Sequence, residues 1–90
     1  MRYTLVWHPS AQDDLLSLWL KEPDRQAISE AADSVDGTLR IDPVLRGETL
    51  TGAIRVLIID PLQIAYRIME DDRIVQILAV SRAAEIDDSV

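Results

Sequence analysis

The chain has 90 residues, 48% of them hydrophobic, and its nine basic and 16 acidic side chains give a formal net charge of −7. This length allows one domain with one core, and the acidic balance excludes a protein that holds nucleic acid through its overall field, because phosphate binding depends on clustered lysine and arginine. The lack of cysteine and the single histidine exclude disulfides and sites built from thiolates or several histidines, so we expect no metal and no cofactor.

The first half of the chain predicts one strand followed by two helices. Residues 2–7, RYTLVW, alternate and are rich in strand formers, and the His-Pro pair that follows ends the strand. Ser10 is the predicted N-cap of the first helix. A second helix begins near Pro23 and ends before Pro43. Its apolar face consists of Ile28, Ala31, Ala32, Val35 and Leu39. The short connection predicts an antiparallel helical hairpin.

The second half predicts a loop and a three-stranded meander. Residues 42–52, DPVLRGETLTG, hold turn residues at both ends and are predicted to form the loop. The runs 53–59, 62–69 and 73–80 are extended, and their short connections make them antiparallel neighbours. We therefore predict one α+β domain, ordered strand–helix–helix–strand–strand–strand, with the helical hairpin on one face of a mainly antiparallel four-stranded sheet. Residues 81–90 have no strong pattern and are predicted to fray or to order against a partner.

The arginines are the candidate functional residues, because arginine suits fixed, bidentate contacts with carboxylate or phosphate. Alternation in residues 62–69 places Tyr66 towards the core and places Gln63 and Arg67 on the other face. Arg55 joins that polar face if the neighbouring Ile54, Val56 and Ile58 face the core, as we predict. The alternative interpretation is that each arginine pairs with a nearby acid, for example Arg55 with Glu48.

Three more arginines either extend this surface or stand alone in solvent. Arg46 lies in the predicted loop, Arg82 follows the last strand, and Arg73 lies beside two aspartates at a turn, where it is interpreted as balancing local charge. His8 is interpreted as a capping or packing residue, because a catalytic base needs an orienting partner. Trp7 and Trp19 are interpreted as core or helix anchors. The acidic turn EDD is interpreted as solvated rather than as a metal site.

The order and spacing of these residues resemble the RelE/ParE superfamily of type II toxin–antitoxin toxins across residues 3–80. The residues that carry the resemblance are Trp7, Pro9, Ala11, Asp14, Leu15, Leu39, Asp42, Pro43, Gly47, Gly52, Arg55, Tyr66, Arg67 and the strand DDRIVQILAV. The resemblance implies a small cytoplasmic protein encoded beside an antitoxin, whose disordered segment wraps the toxin and adds to its sheet or its helical hairpin. RelE-like members cut messenger RNA in the ribosome, with basic residues on the sheet face and a tyrosine or histidine near the C-terminus. ParE-like members lack that set and inhibit DNA gyrase.

The sequence departs from the ribonuclease pattern at several positions. Gln63 stands where ribosome-dependent nucleases of the superfamily place an arginine, residues 53–59 contain no lysine, and no tyrosine or histidine follows Arg82. In-line RNA cleavage needs a group to activate the 2′-hydroxyl, a group to protonate the leaving oxygen and cations around the phosphate. The catalytic residues therefore stay unassigned, with Arg55, Arg67 and Arg82 as candidates.

The leading hypothesis is a toxin that binds a cellular target, either DNA gyrase or another, and that a cognate antitoxin neutralises. The alternatives are a ribosome-dependent messenger RNA endonuclease of the RelE type and a non-toxic relative that serves as an antitoxin-binding module. The residues expected to contact the target or the antitoxin are Arg46, Arg55, Gln63, Arg67 and Arg82. A homodimer stays open, and no membrane association is expected because no apolar run reaches the length of a membrane span.

Overall fold

The computed structural model describes residues 2–83, except for the side chains of Leu45 and Arg46. The described residues form, in chain order, β1 (Thr4–Trp7), α1 (Pro9–Lys21), α2 (Arg25–Ile41), α3 (Pro43–Arg46), β2 (Glu48–Thr51), β3 (Ile54–Ile59), β4 (Leu62–Met69) and β5 (Ile74–Arg82). The predicted tail begins inside β5, because Ser81 and Arg82 continue that strand, and its residues 84–90 lie outside the described residues.

The sheet has five strands in the order β1-β5-β4-β3-β2. The meander strands pair antiparallel, whereas β1 pairs parallel with β5 at the edge of the sheet. The α+β prediction is confirmed, with one strand more than expected. The extra strand, β2, lies in the segment predicted as a loop. All four of its residues are exposed, so no apolar alternation marks it, and Gly52 at φ 52° makes the turn into β3.

Both long helices begin at side chains that cap them. His8, not the predicted Ser10, is the N-cap of α1, and its Nδ1 accepts a hydrogen bond of 3.1 Å from the backbone N of Ser10. Pro9 then occupies the first helical position, where its missing N–H has no partner to lose. Asp24 caps α2 by accepting a hydrogen bond of 3.1 Å from the N of Ala27. None of the helices within residues 2–83 is long and apolar enough to cross a membrane.

The core lies between the helical hairpin and one face of the sheet. The predicted apolar face of α2 is confirmed, with Ile28, Ala31, Val35 and Leu39 buried. Its partners in the core are Leu5, Ala11, Leu57, Leu62, Ile64, Tyr66, Val75, Ile77 and Val80. Asp14 ties α1 to the sheet, because its Oδ2 accepts a hydrogen bond of 3.1 Å from the N of Val80.

Candidate functional site

The register of β3 against β4 decides which arginines share a face of the sheet. Arg55 lies opposite Tyr66, and Ile54 lies opposite Arg67. Residues paired across antiparallel strands point to the same side, so Arg55 shares the helix side with the buried Tyr66. The predicted placement of Arg55 beside Arg67 is therefore wrong, and so is the predicted core face of β3. Leu57 is the buried residue of that strand, whereas Ile54, Val56 and Ile58 lie on the side away from the helices. Apart from Arg55, the residues on both faces of β3 are apolar. Hydrophobic alternation alone therefore did not show which face of this strand lies in the core.

Arg55 holds residues 43–49, which we call the strap, against the sheet. Its Nη2 donates hydrogen bonds of 2.5 Å to the carbonyl oxygens of Val44 and Gly47, and its Nη1 donates one of 3.1 Å to Thr49 Oγ1. Its Nε is buried and has no hydrogen-bond partner among the described residues. The alternative pairing with Glu48 does not form, because Glu48 pairs with Val56 on the other face.

Tyr66 also holds the strap, from the core side. Its buried hydroxyl donates a hydrogen bond of 2.6 Å to the carbonyl of Pro43. Gly47 packs so closely over the ring that a Cβ there would lie 1.8 Å from the hydroxyl oxygen. Arg55 and Tyr66 are therefore neighbours on one face that together fix the path of the strap.

The face of the sheet away from the helices, which we call the open sheet face, carries apolar and polar residues in similar numbers, the polar ones being Thr4, Glu48, Thr51, Gln63, Arg67, Gln76 and Ser81. Arg67 is exposed there beside Gln63, as predicted, and its Nη2 donates a hydrogen bond of 2.7 Å to Gln76 Oε1. By strand register, the apolar residues of this face are Val6, Ile54, Val56, Ile58, Ala65, Met69, Ile74 and Ala79. Sequence reasoning expected a polar surface here and missed this composition, because it assigned the isoleucines of β3 to the core.

The three candidate catalytic arginines do not come together. Arg82 forms an ion pair with Glu22 at the end of α1 and lies opposite Leu62 in the sheet. Arg67 is five residues further along β4, which corresponds to about 17 Å of strand. Arg55 is on the other face from Arg67. For Arg46, only the backbone at the end of α3 is described.

Two other arginines have structural neighbours. The guanidinium of Arg73 lies 5.2 Å from the ring centre of Tyr3, whose hydroxyl donates to the carboxylate of Glu70 at 3.1 Å. Arg73 therefore joins the β4–β5 turn to β1, beyond the local charge balance that was predicted. On α2, the hydrogen bond and the charge of Asp36 raise the pKa of Arg40. Across residues 2–83, no group of three or more histidine, aspartate or glutamate side chains could hold a metal ion.

A groove of about 500 Å³ runs between the two long helices on the other side of the molecule. We call it the helical groove, and its lining residues are Trp7, Gln12, Leu15, Leu16, Trp19, Ile28, Ser29, Ala32 and Asp33. Leu16 is 55% exposed, and the guanidinium of Arg25 lies 4.4 Å from the ring centre of Trp19. The two tryptophans were interpreted as packing residues, and the groove was not predicted from the sequence. The available signal was Leu16, an apolar residue off the core face of α1.

Comparison with known proteins gives a family match and several similar folds. The family model described as the ParE toxin of the type II toxin–antitoxin system parDE matches residues 5–87. The RelBE2 toxin–antitoxin complex from Mycobacterium tuberculosis contains a chain with 24% identity and a TM-score of 0.75, and the match covers 91% of this chain and 99% of that one. The chromosomal ParDE system from P. aeruginosa gives 19% identity and a TM-score of 0.71, covering 92% and 98%. The isolated RelE toxin of E. coli gives 12% and 0.65, covering 94% and 88%. No curated protein sequence matches. Because the identities are below 25%, the structural likenesses establish the fold alone.

Proposed function

Because the chain belongs to the family of ParE toxins of type II toxin–antitoxin systems, we propose that it acts by binding a cellular target and that a cognate antitoxin neutralises it. Both steps would take place in the cytoplasm. DNA gyrase is the target that the ParE-like branch of the superfamily suggests. This function differs from the alternative hypothesis, in which the chain is an enzyme that cuts messenger RNA.

The observation that carries the proposal is the separation of the candidate catalytic arginines. General acid–base chemistry on a phosphodiester needs its groups within about 3 Å of the reacting atoms. Arg67 and Arg82 are about 17 Å apart along the sheet, and Arg55 is on the opposite face from Arg67. Arg55 and Arg82 also have structural contacts, with the strap and with Glu22 respectively. This arrangement favours a protein that acts by binding a partner on its surface over one that cleaves RNA.

The helical groove is the surface that best suits the antitoxin. An amphipathic helix binds a groove by inserting apolar side chains one turn apart, and this groove offers Leu15, Leu16 and Trp19 along its length. Two chains of similar fold occur in structures described as toxin–antitoxin complexes, which supports an antitoxin as the partner. We propose that an apolar helical segment of the antitoxin occupies the helical groove.

The first test is expression of the chain alone in bacteria, with growth, messenger RNA integrity and plasmid supercoiling measured together. We expect growth arrest with intact messages, and recovery when the antitoxin encoded beside the gene is co-expressed. Relaxed plasmids would identify gyrase as the target. Cuts at codon positions that disappear in Arg67→Ala would instead establish the endonuclease, and normal growth with good soluble expression would leave an antitoxin-binding module.

The second test uses two exposed leucines one helical turn apart. Leu16 lines the helical groove, whereas Leu20, which is 57% exposed, is not among its lining residues. Completing the burial of a half-exposed leucine contributes about 1–1.5 kcal/mol, so Leu16→Lys should weaken antitoxin binding about tenfold or more. Leu20→Lys is the matched control and should bind nearly as well as the parent chain. Equal affinities of all three proteins, measured by calorimetry, would place the antitoxin elsewhere.

A further inference from the structure

The open sheet face has the composition of a protein-binding surface. Ile58 is 59% exposed and Val6 is 41% exposed, and six further apolar residues lie between them on the same face. A face that holds nucleic acid needs several cations, but Arg67 is the one basic residue that the described strands place here by register. Apolar residues that are exposed on one sheet face and mixed with polar residues are typical of a protein-interaction surface. The helical groove lies on the opposite side of the molecule, so an antitoxin bound there leaves this face available.

Glu48 and Arg67 carry opposite charges on the open sheet face, so two copies of this face are complementary in charge. Glu48 lies on the same side as Arg67, because it pairs with Val56 in the neighbouring strand. Two strand spacings and two residues along the strand separate the two side chains, which is about 12 Å. Within the described part of the chain Glu48 has no hydrogen-bond or ion-pair partner. A shallow depression of about 240 Å³ lies between Glu48, Val56 and Ile58, and it has room for a side chain from outside.

We propose that the open sheet face is covered by a second copy of this chain. A two-fold axis lying in the interface, and crossing β3 between Ile54 and Val56, brings Arg67 of each copy over Glu48 of the other. At the centre of the interface, Ile54 and Val56 of one copy then lie against Ile54 and Val56 of the other, as an isologous interface requires. This axis sets the strands of the two sheets roughly 70° apart, which is near the orthogonal class of sheet packing.

The size of the face indicates how strong the dimer is. Five strands span about 20 Å, and the length of β4 is about 25 Å, so each copy offers a flat area of about 500 Å². This is below the area of about 800 Å² that each partner buries in a standard stable interface, and it is typical of a weak, transient one. We therefore expect a dissociation constant in the micromolar range.

Sedimentation analysis of the full chain, made by cell-free synthesis, tests the proposal. Between about 1 and about 200 µM, the range for an interface of this size, the parent chain should convert from monomer to dimer. Arg67→Glu and Glu48→Arg should each raise the dissociation constant about tenfold or more, because each places like charges opposite each other twice per dimer. The double variant Arg67→Glu/Glu48→Arg should restore dimerisation. Lys21→Glu, which makes the same change in net charge as Arg67→Glu but on α1, is the control for that variant and should dimerise like the parent.

Three outcomes would overturn the proposal. They are a chain that stays monomeric at every concentration, a dimer that is indifferent to both single reversals, and single variants that weaken the dimer without rescue in the double variant. Ile58→Lys provides a second readout, because this residue is exposed in the monomer and its replacement should not affect folding. Ile58→Lys should also raise the dissociation constant of the dimer. At low concentration, where the chain is monomeric, its melting curve should be the same as that of the parent.

Discussion

Replacing Gly47 with alanine should destabilise the protein by about 1–4.5 kcal/mol through a single steric contact. The new Cβ would lie 1.8 Å from the hydroxyl oxygen of Tyr66 and 2.8 Å from its Cζ. The ring cannot move away easily, because Tyr66 is fully buried and its hydroxyl is bonded to Pro43. The backbone of Gly47 itself has φ −98°, which alanine adopts without strain. The destabilisation therefore comes from the contact and not from the backbone.

The magnitude follows from three contributions. Forcing an extra methyl group into a packed site costs about 1–3 kcal/mol. Displacing the Tyr66 hydroxyl from Pro43 costs about 1–2 kcal/mol more. The smaller conformational freedom of alanine in the unfolded chain returns about 0.4–1 kcal/mol. For a domain of this size, a loss in the middle of this range, about 3 kcal/mol, lowers the melting temperature by about 12–24 °C.

A double-mutant cycle with Tyr66→Phe, followed by urea unfolding, tests the cause. Removing the hydroxyl alone should cost about 1 kcal/mol. In combination, the two changes should cost at least about 1 kcal/mol less than their sum, because the closest atom is gone. Gly37→Ala is the matched control: nothing lies within 4 Å of a Cβ there, and alanine in the middle of α2 should stabilise by about 0.5–1 kcal/mol. Strict additivity, or a loss at Gly47 below about 0.5 kcal/mol, would refute the steric account.

Three further substitutions test contacts that organise the fold. Arg55→Met keeps most of the apolar stem of the side chain but removes the hydrogen bonds to the strap, so it should lower the free energy of unfolding by about 2–3 kcal/mol in urea titrations and make the strap sensitive to protease; unchanged values would contradict the anchoring role. Asp14→Ala should cost about 1 kcal/mol and speed hydrogen exchange at the Val80 amide, and unaltered exchange there would refute the contact. Asp24→Ala removes the cap that accepts from Ala27, so thermal unfolding followed by circular dichroism should show a loss of about 1 kcal/mol, and an identical melting curve would count against the cap.

The parts of the fold that the sequence predicted have one-sided hydrophobic patterns. The second helix has a single apolar face, and β4 alternates around Tyr66, so both were placed correctly. The pattern is uninformative in β3, where apolar residues occur on both faces, and in β2, where every residue is exposed. The face on which Arg55 lies is set by the register of β3 against β4, which depends on pairing between separate strands and not on the local sequence pattern.

The candidate surfaces were harder to predict than the fold. The helical groove is built from side chains of two helices and the end of β1, so no contiguous stretch of sequence describes it. The arginines were correctly singled out, but the sequence could not say that Arg55 reaches the carbonyl oxygens of a strap eight to eleven residues earlier in the chain. Function in this family therefore has to be argued from the arrangement of residues rather than from their presence.

The parallel pairing of β1 with β5 has a consequence for synthesis of the protein. Thr4 pairs with Ile74, so β1 finds its sheet neighbour in a strand that is translated after the helices and the other three strands described. Closing so long a loop is slow compared with forming local contacts, and a nascent chain without β5 leaves β1 unpaired. We therefore expect the native fold to form only after β5 has left the ribosome. A fragment released before Ile74 should be degraded rather than be partly active.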